Sequence, residues 1–289
     1  MSDLNNMQPI IILGAGRSGT KFFRDSLLSS KATCAVPYDV NYIWRYGNEE
    51  CEHDELTAKM ATNSSNSYIR QSIVRLASKQ NNNAQFLLEK TVSNGLRVDF
   101  VNEVFPEAKY IHLVRDGRAV VESAIRVWNE PPQTGYLLKK IKYFPWKNYK
   151  YAFQYFLNLA RGVLTSNSGL QVWGPKYSGI QHDVDNLSLI EICAKQWERC
   201  VSRAMTSLRK IPKERVLTIK YEDFVSSPQA LSEAARFIGV QDTENLIANY
   251  AKKLRPGNVD KWRESLSEPE IEYLSKSLEG LLSELGYSE

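Results

Sequence analysis

The chain opens its pattern with Ile10-Ile11-Ile12-Leu13, a short apolar run ended by glycine. Such a run predicts a strand buried on both faces, as in a parallel sheet. Past the glycines, Phe22, Phe23, Ser26, Leu27 and Ser30 recur at three- and four-residue spacing. That stripe predicts a helix starting near Ser18 and packed on the sheet. Further strands are predicted at 33–36, 86–88, 109–114 and 215–220. Helices are predicted within 48–80 (apolar stripe Ile69, Ile73, Val74, Leu76), at 95–105 before Pro106, and through Val120, Val121, Ala124 and Val127. Three more are expected at 187–208, 231–238 (closed by Gly239) and 269–285. Strands alternating with helices imply parallel pairing with right-handed crossovers, hence one α/β domain over residues 1–289, with about five central strands flanked by helices.

Composition narrows the class. With 43% hydrophobic and 24% charged residues in a chain of 289, disordered, collagen-like and coiled-coil architectures are excluded. The 37 Lys and Arg exceed the 33 Asp and Glu by only four, too little to neutralise many phosphates of a nucleic acid, though enough for a local anion site. The four cysteines, at 34, 51, 193 and 200, form no C-x-x-C pair, so reduced structural thiols are expected. The amino terminus is polar without a basic region, and no run approaches the roughly 18–20 apolar residues of a membrane helix. A soluble, cytoplasmic protein without a leader is expected.

The segment from Gly14 to Lys21 carries the first chemistry, and it fits three templates. Gly14-x-Gly16-x-x-Gly19 after a strand matches the dinucleotide fingerprint, with Asp39 placed to hold a ribose. Gly14-x-x-x-x-Gly19 also resembles a triphosphate loop, but Thr20-Lys21 reverses the Lys-Ser/Thr order and takes both groups off their phosphate and magnesium positions. In the third reading, helix-start amides, two hydroxyls and a guanidinium from Gly16-Arg17-Ser18-Gly19-Thr20 converge on one small anion, with no metal required. A tight turn with a capping serine explains Ser18 but neither Arg17 nor the three glycines.

A second segment, Tyr110-Ile-His-Leu-Val-Arg115-Asp-Gly-Arg-Ala-Val-Val-Glu-Ser123-Ala, repeats the strand-loop-helix form. An arginine at a strand's carboxyl end and a serine two turns into the next helix both face the crevice above a parallel sheet. With GAGRSGT, this segment resembles the sulfotransferases that use 3′-phosphoadenosine 5′-phosphosulfate. The resemblance continues through Glu89-Lys90-Thr91, Trp173-Gly174-Pro175-Lys176-Tyr177, Tyr221-Glu222-Asp223-Phe224 and the tail 262–286, and is nearest to the bacterial, carbohydrate and tyrosyl-protein branches.

The resemblance implies a P-loop-like three-layer sandwich and transfer of a sulfuryl group to an acceptor hydroxyl. It implies nucleotide contacts from Gly16, Arg17, Ser18, Gly19, Thr20, Lys21, Arg115, Ser123 and Tyr221. The donor is then the phosphosulfate and the product adenosine 3′,5′-bisphosphate. Charge moves onto the bridging oxygen as the bond to sulfur breaks, so Arg17 and Lys90 are the expected catalytic cations, Arg17 as a clamp because arginine stays charged. Related branches place the base either as a carboxylate soon after the first helix or as a histidine after the strand-end lysine. Asp39 stands at the first place and is the expected base. Glu89 is the reserve, with a strand-end ion pair as its other reading. His112 alternates into a buried strand and reads as a core residue; His53 falls in an acidic, exposed stretch and His182 in a loop. In the tail, Arg255, Lys261 and Arg263 are candidates to close over the 3′-phosphate but lack a clear match to the family's closing motif.

Residues 129–186 break the pattern. Nine aromatics interleave with five lysines between Tyr136 and Phe156. The segment reads as an insertion roofing the acceptor cleft, as a peripheral membrane contact through 136–156, or as an aromatic satellite core. A saccharide or glycolipid is the acceptor expected. A magnesium-dependent kinase and a catalytically silent nucleotide-binding protein are the alternatives.

Overall fold

The protein is described by a computed structural model covering residues 7–129, 172–254 and 259–287. The aromatic and basic stretch 136–156 lies outside the described residues, as do residues 130–171 of the roof expected over 129–186.

Five parallel strands form the centre: β1 (Gln8–Leu13), β2 (Thr33–Ala35), β3 (Phe86–Glu89), β4 (Lys109–Val114) and β5 (Val216–Lys220), in the order β2-β3-β1-β4-β5. Ile11 aligns with Glu89 and Tyr110, Leu13 with His112, and Val114 with Lys220. The carboxyl ends of β1, β3, β4 and β5 therefore lie along one edge, where the loops after them meet. In an open α/β sheet that edge is where ligands bind.

The helices are α1 (Thr20–Leu27), α2 (Asn41–Trp44), α3 (Asn63–Ser78), α4 (Val98–Val104), α5 (Gly117–Trp128), α6 (Ile180–Asn186), α7 (Leu189–Leu208), α8 (Tyr221–Ser226), α9 (Gln229–Ile238), α10 (Thr243–Lys253), α11 (Lys261–Ser265), α12 (Glu268–Ser277) and α13 (Glu279–Glu284). Strands β1 to β4 are buried on both faces, the edge strand β5 only in part, and the strands feed two cores by alternation. Ile10, Ile12, Leu88, Ile111 and Ile219 pack with Phe23 and Leu27 of α1 and with α8–α10. Ile11, Leu13, Leu87 and Tyr110 face α2–α4 and the end of α7. A third core joins α5, α6, α7 and the tail helices. The result is the parallel five-stranded sheet flanked by helices expected from the pattern, in the three-layer sandwich the resemblance implies.

Several local expectations needed correction. The stretch 48–80 is not one helix: α3 begins only at Asn63, where the Thr62 side chain accepts from the Ser65 amide and caps it. The region 95–105 divides into a 3-10 turn (Val92–Leu96) and α4, and the tail helix divides at Leu278 into α12 and α13. Helix α1 starts at Gly19–Thr20 rather than Ser18. His182 lies in α6 rather than in a loop. The acidic stretch around His53 is not uniformly exposed, since Asp54 and Leu56 are each 1% exposed. Cys34, Cys193 and Cys200 are buried free thiols, as expected. Among the described residues, no helix is long and apolar enough to cross a membrane.

Candidate active site

The loop after β1 enters α1 through two left-handed residues, Arg17 (φ 71°) and Gly19 (φ 83°). A non-glycine residue in that region costs about 1–3 kcal/mol, strain that clusters at ligand clamps. Gly19 has a further constraint: a Cβ there would come 2.4 Å from the Tyr221 ring. Neither the conformation nor the space admits a larger residue. No side chain caps α1, and the Ser18 hydroxyl is fully buried with no hydrogen-bond partner among the described residues. Unmet helix-start amides and a buried orphan hydroxyl make a site suited to a small anion.

The second segment comes to the same place. The Arg115 guanidinium donates from Nη1 to the Arg17 carbonyl at 3.0 Å and lies 4.4 Å over the Tyr221 ring. Its own carbonyl accepts from the Trp197 indole of α7 at 3.2 Å, which fixes the strand end. From α5, the Ser123 hydroxyl accepts from Arg17 Nε at 3.0 Å and from Arg126 Nη2 at 3.4 Å. Asp116, the neighbour of Arg115, pairs instead with Arg118 and caps α5 through the Arg118 amide. Three guanidiniums, of Arg17, Arg115 and Arg126, thus gather around one serine and one loop carbonyl. Thr20 is buried in the first turn of α1, whereas Lys21 is exposed on it.

Beside this cluster lies a second one, after β3. Lys90 Nζ donates to the Asp39 carboxylate in a close ion pair; the Lys90 side chain is 9% exposed and that of Asp39 is 29% exposed. Val92, two residues on, comes within 3.9 Å of where a Cβ on Gly16 would stand, so the two clusters adjoin. The Trp173 indole approaches the same point at 3.3 Å. Its segment is held by Gln196 Nε2, which donates to the Trp173 and Pro175 carbonyls at 2.7 and 2.9 Å.

Glu89 faces away from this cleft. It is fully buried and accepts from the Trp44 indole, the Thr91 hydroxyl and the Asn94 amide at 3.1, 2.6 and 2.8 Å, so the strand-end ion pair considered for it is not what its carboxyl makes. Burial pushes its carboxyl up, and the Thr91 and Trp44 hydrogen bonds offset this only in part. His112 is buried in β4, where desolvation pushes its imidazole down to about 4 and keeps it neutral, as a core histidine.

Sequence reasoning missed Asp54 and Arg126. Asp54 accepts from Asn41, Arg45, Ser93 and the Lys176 amide, so it ties α2, the 3-10 turn and the Trp173 segment together. Nothing in the local sequence marks it. Arg126 had a signal, since three residues on from Ser123 places it on the same face of α5.

If Arg115 serves the 3′-phosphate of the donor that the resemblance implies, its replacement by Ala is expected to weaken binding of adenosine 3′,5′-bisphosphate by about 1.5–3 kcal/mol, the range for a hydrogen bond to a charged group. Titration calorimetry measures it. An equal loss for the analogue lacking the 3′-phosphate would show that Arg115 does not serve that phosphate.

A model described as the Sulfotransferase family matches residues 9–164, more than half of the chain. The fold is similar to the sulfotransferase domain of the curacin biosynthetic pathway (TM-score 0.50, 17% identity, covering 94% of this chain and 98% of that one). It is similar also to the sulfotransferase domain of the Synechococcus PCC 7002 olefin synthase (0.51, 18%, 94% and 95%) and to the sulfotransferase STF9 of Mycobacterium avium (0.52, 12%, 98% and 78%). At these identities the likeness is one of fold. No protein of curated function matches the sequence. With the anion-suited loop after β1 and the family match running through both arginine segments, the chain belongs to the sulfotransferase family.

Proposed function

We propose that this sulfotransferase takes its sulfuryl group from 3′-phosphoadenosine 5′-phosphosulfate and passes it to an acceptor hydroxyl, with Asp39 as base and Lys90 and Arg17 as the cations beside the leaving group. The convergence of Arg115 and Ser123 on the Arg17 loop carries this reading. A donor bearing phosphate at both ends of one nucleoside needs cationic and hydroxyl groups for each end, and in this reading the loop after β1 serves one end while Arg115 and Ser123, in contact with that loop through Arg17, serve the other. Gly16 to Thr20 and Lys21 serve the 5′ end, Arg115 and Ser123 the 3′ end, and Tyr221 lies between.

In the reaction, the acceptor oxygen forms a bond to sulfur as its proton passes to Asp39. The bond from sulfur to the bridging oxygen breaks, and that oxygen keeps the electron pair as adenosine 3′,5′-bisphosphate leaves. Cations preorganised where this charge develops lower the barrier. Lys90 already holds the Asp39 carboxylate, so one side chain touches the base and stands at the strand end beside the phosphate loop. For the acceptor, a saccharide fits the half-buried Trp173 indole beside Gly16, because apolar sugar faces pack on aromatic rings.

Adenosine 3′,5′-bisphosphate is expected to raise the melting temperature without added magnesium, because side chains and amides hold it. Stabilisation by ATP with magnesium alone would overturn the donor assignment. Labelled donor offered to saccharide, lipid and peptide hydroxyls then reads the acceptor class.

A further inference from the structure

Asp39 lies on a strap, residues 39–44, that crosses the carboxyl end of β3. Three contacts fasten the strap to the segment 89–97. The Val40 amide donates to Thr91 Oγ1 at 3.1 Å, the Trp44 indole to Glu89 Oε1 at 3.1 Å, and Arg97 Nη2 to Asn41 Oδ1 at 2.6 Å. All three lead back to one carboxyl. Thr91 passes its own hydrogen to Glu89 Oε1 at 2.6 Å while accepting from Val40. Arg97 Nε donates to Asn94 Oδ1 at 2.9 Å, which turns the Asn94 amide nitrogen onto Glu89 Oε2 at 2.8 Å. Glu89 is also the residue before Lys90.

We propose that Glu89 is a positioning residue for the acceptor-side pair, holding the Asp39 strap in register with the Lys90 strand end from beneath the cleft. The proposal rests on the reading of Asp39 as base. Glu89 does not touch the reacting atoms, since its side chain is sealed in the core and points to Trp44, Thr91 and Asn94. A carboxyl suits this node because every neighbour is a donor: the indole can only donate, and Arg97 fixes which end of Asn94 faces Glu89. An amide in its place sets one N–H₂ against a donor. The strap then shifts, and a displacement of about 1 Å at a reacting group costs about 100-fold in rate.

The test uses the full chain with Glu89→Gln and, because the first substitution reaches deep into the core, Thr91→Val, which removes only the bridge between Glu89 and Val40. Each is expected to lower kcat by about 10- to 100-fold with donor KM and bisphosphate affinity within about twofold of wild type. In an Asp39→Asn background, each is expected to add less than about twofold, because both act through Asp39. A purely structural role lowers the melting temperature and leaves kcat in place below it. Turnover within about twofold of wild type in Thr91→Val, or a full additional loss in the Asp39→Asn background, overturns the proposal. Should Asp39→Asn alone keep wild-type turnover, the base assignment fails whatever Glu89 does; a loss there with wild-type rates in both other variants removes Glu89 alone.

Discussion

Asp39→Asn is expected to lower kcat by about 10²–10⁴-fold, the usual worth of a general base, with bisphosphate affinity nearly unchanged. Of the two carboxyl groups at the end of β3, only that of Asp39 reaches the cleft: its side chain is 29% exposed against none for Glu89. Asparagine keeps the shape and one oxygen for Lys90 but cannot take a proton. The proposed nucleotide contacts lie on the other cluster, where Arg17 donates to Ser123 and Arg115 to the Arg17 carbonyl, and do not involve position 39. Initial rates with labelled donor give kcat, and calorimetry with the bisphosphate gives affinity. Wild-type turnover would discard Asp39 as base. A parallel loss of bisphosphate binding would mean that the ion pair with Lys90 shapes the nucleotide site instead.

The largest loss of stability is expected from Asp54→Ala, about 3–5 kcal/mol, the range for removing one partner of a buried ion pair. At 1% exposure the carboxylate lies within 3.2 Å of Arg45 and 3.8 Å of the fully buried Arg97, so its removal takes one carboxylate away from two guanidiniums at the edge of the core. Denaturant unfolding measures the cost, and a change below about 1 kcal/mol would show that the core accommodates those arginines without it. The same group sets part of the pH dependence. Burial pushes the Asp54 carboxyl up, but Arg97, the Lys176 amide, Asn41 and Arg45 outweigh burial and hold it below its ordinary value. With the folded pKa depressed, its stabilisation is present above the unfolded value of about 3.9 and is lost as pH falls through the folded one. Glu89 runs the other way. Its folded pKa is raised, so its contribution is fully present below about 4.3 and declines as pH rises through the folded value. Melting temperature measured below pH 4 should therefore fall less steeply in Asp54→Asn than in wild type.

The neighbourhoods of these two carboxyls show how far the sequence could be read. Glu89 stood in a motif that resembled a family signature, and its neighbour Lys90 was assigned from it. The motif leaves Glu89 between a reserve base and a strand-end ion pair, because nothing near position 89 announces Trp44 or Asn94. Asp54 stands in the acidic stretch around His53 that the sequence marks as exposed, and its partners lie at positions 41, 45, 93, 97 and 176, which no window of sequence spans. The extent of single helices was misjudged for a related reason. Caps such as Thr62 with Ser65, and breaks such as the one at Leu278, are settled by local hydrogen bonding that apolar periodicity does not register.

By itself the sequence determined the sheet, its five strands and the anion loop. Burial on two faces demands unbroken apolar runs, and a backbone turned back on a helix start demands glycine, so both leave a mark within a few residues. Tertiary structure alone decided which polar side chains meet: Arg115 with the Arg17 carbonyl, Arg126 with Ser123, Lys90 with Asp39, and Glu89 with the strap beneath them. A buried charge or donor must find a partner, but the requirement fixes only that a partner exists, and the fold chooses it from anywhere along the chain.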